Sequence, residues 1–447
     1  MMPDAAPQKD WRPSPLRRGW CPGALRPMAS GDGLIARLRI AGGAIAPKTA
    51  RAIAEASQSL GNGHIDLTSR ANLQIRGLRP GAVVSLQSML NTLGLIDVDP
   101  AAEAVRNVMA SPLAGFDPSA LIDIRPSVTA LDERLRRDPA LWRLPAKFGF
   151  AIDDGGRLSI AGEPADIAFL ALGRDGGVQF SMRLAGRPAG FCAVEALPAT
   201  AARLARAFLD LRGLGESAAP RMAALVKRIG VERIVHYAGL RLAAAEVKEG
   251  EARAPRPLGE HDLGRFRALG VGAPFGRLDA ARLRLLADAA EGSKGELRLT
   301  PWRAIVIVGT DIDATLAQVL REAGFVLEET HPIRSVAACP GAPACANGST
   351  ATLRDGARLA PLARRLKAHG VALHVSGCAK GCAHAQAAAV TLVGREGRYD
   401  LVLDGRAGDR PILAGLDAKE LEAVLEKLGG APHANRVAAL HSSQDEA

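Results

Sequence analysis

Apolar positions along the chain fall into short bursts whose spacing switches between two residues and three or four, the pattern of strands alternating with helices. Leu34-Ile35-Ala36-Arg37-Leu38-Arg39-Ile40 partly alternates and predicts a strand. Pro47 opens a helix whose apolar positions include Ala50, Ile53, Ala54 and Leu60, and Gly61-Asn62-Gly63 stops it. Ile65, Leu67, Leu73 and Ile75 belong to a following extended stretch, so Gly31 to Gly77 reads as strand, helix, strand. Farther on, Arg203 to Arg228 reads as helical, and Glu249 to Pro257, charged and twice broken by proline, as a linker. Leu359, Leu362 and Leu366 have helical spacing, with Pro361 near the start and Gly370 at the end. Val371, Leu373 and Val375 alternate as a strand, and Ala389 to Val393 with Tyr399 to Leu403 reads as a hairpin.

The same wording occurs twice. Gly43-Ala-Ile45, Ala50-Arg-Ala-Ile-Ala-Glu-Ala56 and Ile65-Asp-Leu-Thr68 are echoed by Gly276-Arg-Leu278, Ala281-Arg-Leu-Arg-Leu-Leu-Ala287 and Leu297-Arg-Leu-Thr300. Asn107-Val-Met-Ala-Ser-Pro112 matches Ser335-Val-Ala-Ala-Cys-Pro340, and Leu172-Gly-Arg-Asp-Gly176 matches Val393-Gly-Arg-Glu-Gly397, in the same order. Two copies at a long period indicate a duplicated pair of domains and not a solenoid. Each half holds a small βαβ-like unit and a larger α/β unit.

With 447 residues and 48% apolar content the chain can fill several cores. Its formal charge of +10 comes mainly from scattered arginine, which suits an anionic ligand. A content of 4% aromatic residues argues against a stacking surface for nucleic acid. Met1 to Trp20 lacks the apolar core of a signal peptide, and no apolar run is long enough to span a membrane, so a soluble cytoplasmic protein is expected. Four of the six cysteines are concentrated in Cys339-Pro-Gly-Ala-Pro-Ala-Cys345 and Cys378-Ala-Lys-Gly-Cys382. The second pair falls in a Gly-rich loop just after a strand. Cysteine tetrads hold iron–sulfur clusters or structural zinc, and these spacings, wider than zinc knuckles, favour a 4Fe-4S cluster. The first half has Ser111 where the second has Cys339, and only one copy carries the tetrad. Cys21 and Cys192 are solitary and read as small buried side chains.

Two cysteine pairs so spaced, followed by Val390-Thr-Leu-Val-Gly394 in a duplicated chain, resemble the sirohaem-dependent sulfite and nitrite reductase superfamily over about Gly19 to Gly430. The resemblance implies an α+β fold with a pseudo-twofold repeat. Ferredoxin-like half domains would occupy 19–80 and 258–330, and larger reductase-like domains 100–248 and 331–430, the last holding the cluster. It makes Cys339, Cys345, Cys378 and Cys382 the cluster ligands, with Cys382 at the position that bridges to a tetrapyrrole. Thr68-Ser69-Arg70 with Gln74, Arg106-Asn107-Val108 and Leu144-Pro-Ala-Lys147 resemble the motifs that carry the family's active-site arginines and lysines. Arg70, Arg106 and Lys147 are thereby implied as catalytic and, with Gln74, as substrate-binding; Arg76, next to the Arg70 strand, reads either as a bidentate fork for a substrate carboxylate or as a solvated edge residue. A second lysine of the family would fall at Gly149, so an oxyanion-reducing site looks incomplete.

Cys21-Pro-Gly-Ala-Leu-Arg-Pro-Met-Ala-Ser-Gly-Asp-Gly-Leu34, Ile65 to Gln74 and Gly377 to His384 resemble the branch of this superfamily that acts in aerobic cobalamin biosynthesis. That branch implies precorrin-3A, an anionic tetrapyrrole, as substrate, hydroxylated at C20 by dioxygen with formation of a lactone. It also implies an electron donor, NADH as the ultimate reductant, and a mononuclear non-haem iron. His64, Asp66, His374 and His384 are available to that iron, and their spacing does not select among them. The alternative is a sulfite or nitrite reductase with bound sirohaem; a plain electron carrier and a basic nucleic-acid-binding module with zinc are the other rivals.

Overall fold

The computed structural model describes residues 21–174, 176–242, 255–366, 370–432 and 435–441. The linker expected at Glu249 to Pro257 lies largely outside them, as does Met1 to Trp20. The chain forms two compact units, one of Ala29–Gly33 with Glu328–Ala447, the other of Trp20–Met28 with Leu34–Leu327. Among the described residues no helix is long and apolar enough to cross a membrane.

In the larger unit the first expected strand is Gly33–Leu38 and the helix is Pro47–Leu60, with Pro47 supplying the preset first turn. The following extended stretch is two strands, His64–Leu67 and Leu73–Leu78, because Thr68–Asn72 forms a tight turn. The downstream copy repeats this with Phe266–Gly272, helix Ala280–Gly292, and strands Glu296–Leu299 and Ala304–Gly309. The two copies exchange a strand: Ala44–Ile45 pairs with Glu296–Leu299, and Arg277–Asp279 pairs with His64–Leu67, both antiparallel. Each exchanged strand follows a glycine with positive φ, Gly43 (74°) and Gly276 (75°). A Cβ there would come within 2.7 Å of Leu299 O and 3.1 Å of Leu67 O respectively, so the exchange needs glycine at both points. One apolar layer, including Ile53, Ile65, Leu73, Ile75, Leu283, Leu297 and Ile305, lies between sheets and helices of both copies.

The larger domain of the first half has the sheet order Arg187–Ala193, Gly177–Leu184, Ile167–Arg174, Phe150–Asp153, Val108–Ala110. Phe148, Phe150, Phe169, Phe180 and Phe208 are fully buried against it, each worth roughly 1.5–3 kcal/mol by burial. The helical stretch expected over Arg203 to Arg228 is two helices, Leu197–Leu211 and Met222–Ile229, broken at Gly213 and Gly215. In the smaller unit the order is Val336–Ala338, Leu373–Ser376, Ala388–Arg395, Arg398–Gly405, Leu413–Leu416. Its helix starts earlier than the leucine spacing suggested, at Thr352, so Pro361 lies near its end and a short 3-10 turn reaches Leu366.

The two larger sheets share one register. Ala338 pairs with Val375 in parallel, as Ala110 pairs with Ile152. Cys339 N–H donates to Val375 O and Ser111 N–H to Ile152 O. Counting on from these pairs, Cys339, Cys345, Cys378 and Cys382 correspond to Ser111, Asp117, Gly155 and Ser159. The duplicated fold with ferredoxin-like half domains is therefore present as the sequence implied, with the strand exchange added.

Candidate functional site

Arg37 and Arg39 alternate with the buried Ala36, Leu38 and Ile40, so both arginines leave the apolar face of their strand. Arg37 is paired in register with Gln74, and its guanidinium donates to Gln74 Oε1 at 2.8 and 3.2 Å. Arg39 is buried, reaches Glu103 at 3.5 Å, and leaves its Nε without a hydrogen-bond partner. Glu103 also accepts from the Ala24 and Leu25 N–H groups, which pins the segment that follows Cys21. Cys21 is half-buried beside Arg37. Cys192 is the small buried side chain expected, and burial pushes its thiol up to about 12.

Arg70 sits in the turn between His64–Leu67 and Leu73–Leu78. Thr68 Oγ1 accepts from Arg70 N–H (3.3 Å) and Asn72 N–H (3.2 Å), Asn72 Oδ1 accepts from Ile40 N–H, and Ala71 adopts positive φ (52°). The turn is thus locked, while the Arg70 guanidinium has no ion pair among the described residues. Burial, then Arg221 and Arg37, pulls its pKa down. Arg37 is lowered to about 10 by burial and by Arg39. A positive cluster depressed in this way gains when an anion enters. Arg221 is aimed by Asp166, a buried carboxylate that accepts twice from Arg221 Nε at 2.9 Å and also from the Gly149 (2.8 Å) and Met222 (2.9 Å) N–H groups.

The fold also brings Gly149 to Arg70. A Cβ on Gly149 would lie 3.9 Å from Arg70 Nε and 3.8 Å from Asn107 O, ordinary contacts that leave room for a side chain where none is present. Asn107 organises this loop, its Nδ2 donating to Ala104, Ala146 and Phe148 carbonyls at 3.0–3.2 Å. Lys147 is carried on the same loop and is exposed.

Arg106 and Arg76 are placed differently from Arg70. Arg106 is 5% exposed; it grips Asp132 through two 2.8 Å bonds and Asp97 through one of 2.6 Å. Burial alone would lower its pKa, yet Asp132 and Asp97 hold it above the usual value. Arg76 is 3% exposed and meets Asp66 at 3.2 Å, which Arg277 also holds at 2.7 and 3.0 Å. Both guanidiniums are occupied by internal carboxylates. Arg37, Arg39 and Arg221 are the basic residues that the motifs did not point to. The strand alternation at 37 and 39 was a usable signal, whereas Arg221 depends on Asp166, fifty-five positions away.

In the smaller unit the four cysteines sit on two loops whose charges sense one another: Cys382 feels Cys339, Cys378 and Cys345. Burial pushes the Cys378 and Cys382 thiols up. Gly377 N–H donates to Cys339 Sγ at 3.2 Å, and the Lys380 N–H to Cys378. Gly377 is packed between Gly341 Cα and Gly348 Cα, where a Cβ would meet each at 3.2 Å. Among the described residues no three His, Cys, Asp or Glu side chains are grouped as ligands of one ion. Four thiols near enough to interact, with N–H groups aimed at sulfur, fit a four-iron cluster, which takes one thiolate at each of four separate irons. His374 is buried beneath Gly381 with the His384 ring 5.8 Å away, while Asp66 is committed to two arginines.

Models of known families match two descriptions: "Nitrite/Sulfite reductase ferredoxin-like half domain" over residues 26–93 and 259–322, and "Nitrite and sulphite reductase 4Fe-4S domain" over 101–245. The latter match covers the half that lacks the cysteine tetrad. The chain is similar to a precorrin-3B synthase of Sinorhizobium sp, 31% identical over 93% of this chain and 88% of that one. It is also similar to a ferredoxin–nitrite reductase of Synechococcus elongatus, 28% identical over 90% and 86%. The solved structure of the Mycobacterium tuberculosis NirA protein shares the fold, with a TM-score of 0.69 at 23% identity over 91% of this chain and 83% of that one.

Proposed function

The chain belongs to the nitrite/sulfite reductase family, and from that membership we propose that it is a precorrin-3B synthase, a cytoplasmic oxidoreductase that hydroxylates precorrin-3A at C20 with dioxygen and forms a lactone. The observation that carries this reading is Arg70, unpaired and flanked by Arg37 and Arg221, with Gly149 and not a second cation against it. Such a site has charge for several carboxylates and lacks, at Gly149, the second lysine that reduction of a small oxyanion calls for. The 31% identical relative supports the same choice.

In this reading Arg37, Arg70 and Arg221 bind substrate carboxylates, with Gln74 orienting Arg37 and Asp166 orienting Arg221. Lys147, exposed on its loop, supplies a proton. Arg106 and Arg76 act by position: Arg106 ties the start of the Asn107 loop clamp to Asp97 and Asp132, and Arg76 fixes the sheet through Asp66. Cys339, Cys345, Cys378 and Cys382 would hold a 4Fe-4S cluster that delivers electrons drawn ultimately from NADH. Insertion of one oxygen atom with release of the other as water consumes two electrons and two protons, so an electron donor is required.

Anaerobic purification followed by addition of precorrin-3A, dioxygen and a reductant tests the proposal. A product with one added oxygen atom is expected, from a protein whose visible spectrum shows only a broad iron–sulfur shoulder. A tightly bound chlorin with Soret and red bands, together with nitrite or sulfite reduction, would instead assign a sirohaem reductase, the reading that the 28% identical relative keeps in view.

A further inference from the structure

The hairpin of Met28–Ser30 and Gly33–Leu38 opens the first ferredoxin-like half, yet its turn, Ala29–Gly33, belongs to the smaller unit. There it rests on the loop that joins two of the proposed cluster ligands, Cys339 and Cys345. Ser30 Oγ donates to Ala344 O at 2.7 Å. Gly31 lies against the same loop: a Cβ on it would collide with Pro343 O and stand 2.9 Å from Ala346 N and 3.0 Å from the Cys345 carbonyl carbon. All three are backbone atoms, which cannot swing aside as a side-chain tip can, so the close approach requires glycine. The loop also has bonds of its own. Cys345 N–H donates to Gly341 O at 2.7 Å, Gly348 N–H to Cys345 O at 2.9 Å, and Ala342 N–H to Thr350 O at 2.8 Å. These fold the loop on itself and tie it to its own domain, while the hairpin turn adds contacts at Cys345 and at the residues on either side of it.

The second half's hairpin, Gly259–Leu263 with Phe266–Gly272, meets the first half's loop at the matching place. Arg37 pairs with Gln74 as Gly270 pairs with Val306, which puts Leu263 at the position of Ser30 and Phe266 at that of Gly33. By the register of the larger sheets, Phe116 is the counterpart of Ala344. Phe266 sets its ring edge-on to Phe116 with centroids 5.0 Å apart, and Leu263 packs with Leu113 and Leu158. The clamp is thus built twice, from large apolar side chains where the loop carries no thiols, and from Ser30 and Gly31 where it carries Cys339 and Cys345. In the second case it is the loop backbone that is fixed.

We propose that Ser30 and Gly31 are positioning residues that hold the Cys345 arm of the cluster cradle, keeping its thiolate in place for one iron of a 4Fe-4S cluster. This rests on the cluster reading above. A ligand fixed before the metal arrives loses little freedom on binding, and it lets the metal go more slowly than a ligand on a slack loop.

The full chain, purified anaerobically, is compared as wild type, Ser30→Ala, Ser30→Thr, Gly31→Ala and Gly81→Ala, the last at a glycine whose Cβ would meet nothing within 4 Å. Transfer of iron to a chelator should be about fivefold faster in Ser30→Ala, which loses one neutral hydrogen bond, and about tenfold faster in Gly31→Ala, where the loop backbone is pushed away. Ser30→Thr, which keeps the hydroxyl, and Gly81→Ala should release iron at the wild-type rate. In the iron-free chain, hydrogen exchange of the Cys345 and Gly348 amides should quicken by the same factors, while that of the Cys339 amide, bonded to Val375 O, stays unchanged. Wild-type iron release, or wild-type exchange at Cys345, in both Ser30→Ala and Gly31→Ala overturns the proposal. An equal rise at Cys339 also overturns it, since that would mean a loosened domain and not a loosened arm. If Gly31→Ala does not fold, Ser30→Ala against Ser30→Thr decides. Wild-type protein with no iron–sulfur signal in electron paramagnetic resonance overturns the cluster reading itself, a distinct outcome that leaves the exchange measurement to test the clamp.

Discussion

Replacing Arg106 by alanine separates two roles that its motif leaves open, contact with a ligand and support of the fold. The side chain is 6% exposed, its partners Asp97 and Asp132 0% and 15%. Truncation leaves the Asp132 carboxylate without the bidentate partner that it meets at 2.8 Å twice. Asp97 retains only Arg136, at 3.0 Å and more exposed. Removing one member of a buried pair costs about 3–5 kcal/mol, mostly because a charge stays buried without compensation. The low end applies here, since Arg136 remains at Asp97. For a unit of about 300 residues each kcal/mol is worth about 1.5–2 °C, so the melting temperature of the larger unit should fall by roughly 5–6 °C. Scanning calorimetry of the wild type and Arg106→Ala at neutral pH measures it. Replacing Arg106 and Asp132 together by apolar residues should recover part of the loss, because the stranded carboxylate is removed with its partner. Arg106→Ala with an unchanged melting temperature but abolished tetrapyrrole binding would refute this reasoning and make Arg106 a ligand contact.

Two further expectations follow from single residues. Burial pushes Asp154 up from 3.8 to about 6, so the folded protein keeps a proton that the unfolded chain has lost, and stability falls as pH rises from about 4 to about 6. Asp154→Asn should therefore stabilise the larger unit above pH 6 by on the order of 1–3 kcal/mol and flatten that slope; an unaltered profile of melting temperature against pH would count against it. Gly149→Lys should fold normally, because a Cβ there meets its neighbours only at 3.8–4.0 Å. A new cation beside Arg70 should tighten nitrite binding by about tenfold in titration calorimetry. Equal affinity would show that the two side chains point apart.

How much of this could be read beforehand depends on how local each feature is. The helix Pro47–Leu60 begins at its proline and ends before Gly61, because both signals act within one turn. Cys339, Cys345, Cys378 and Cys382 lie on just two loops, and their spacing alone suggested a shared site. The strand exchange was hidden, since Ala44–Ile45 is too short for its alternation to identify a partner, and that partner, Glu296–Leu299, lies in the other copy. The grip of Asp97 and Asp132 on Arg106 was hidden for a similar reason: a motif names an arginine without saying which carboxylates fold against it. Helix Thr352–Ala363 was misjudged at its start because Pro361, tolerated near its end, imitates an opening residue.

The duplication explains why charge and sulfur came to different halves. In the first half, Trp302's counterpart is Arg70, since Thr68 and Thr300 each accept two N–H groups from matching turn residues. In the second half, Val306 and Val308 stand where Gln74 and Arg76 stand, and the strand beside them supplies Arg298 paired to Glu296. The cysteine loops show the converse. Ser111, Asp153 and Asp117 close the first half's loops with bonds to Asp154, Ile160, Gly155 and Arg157 N–H groups, so that cradle is satisfied by its own carboxylates. At the equivalent second-half positions the loop offers Ser376, Gly377 and thiols, and a carboxylate knot cannot form. A cradle without its own polar closure is the one that gains stability by binding a metal centre, because ligand binding to the folded state alone adds directly to folding free energy. Loss of the cluster should on this ground loosen Cys339–Cys382 while leaving Ser111–Ser159 protected, a contrast that hydrogen exchange of the iron-free and iron-loaded chain can measure; equal exchange in the two loops would mean that the first half's hydrogen bonds contribute nothing that the second half lacks.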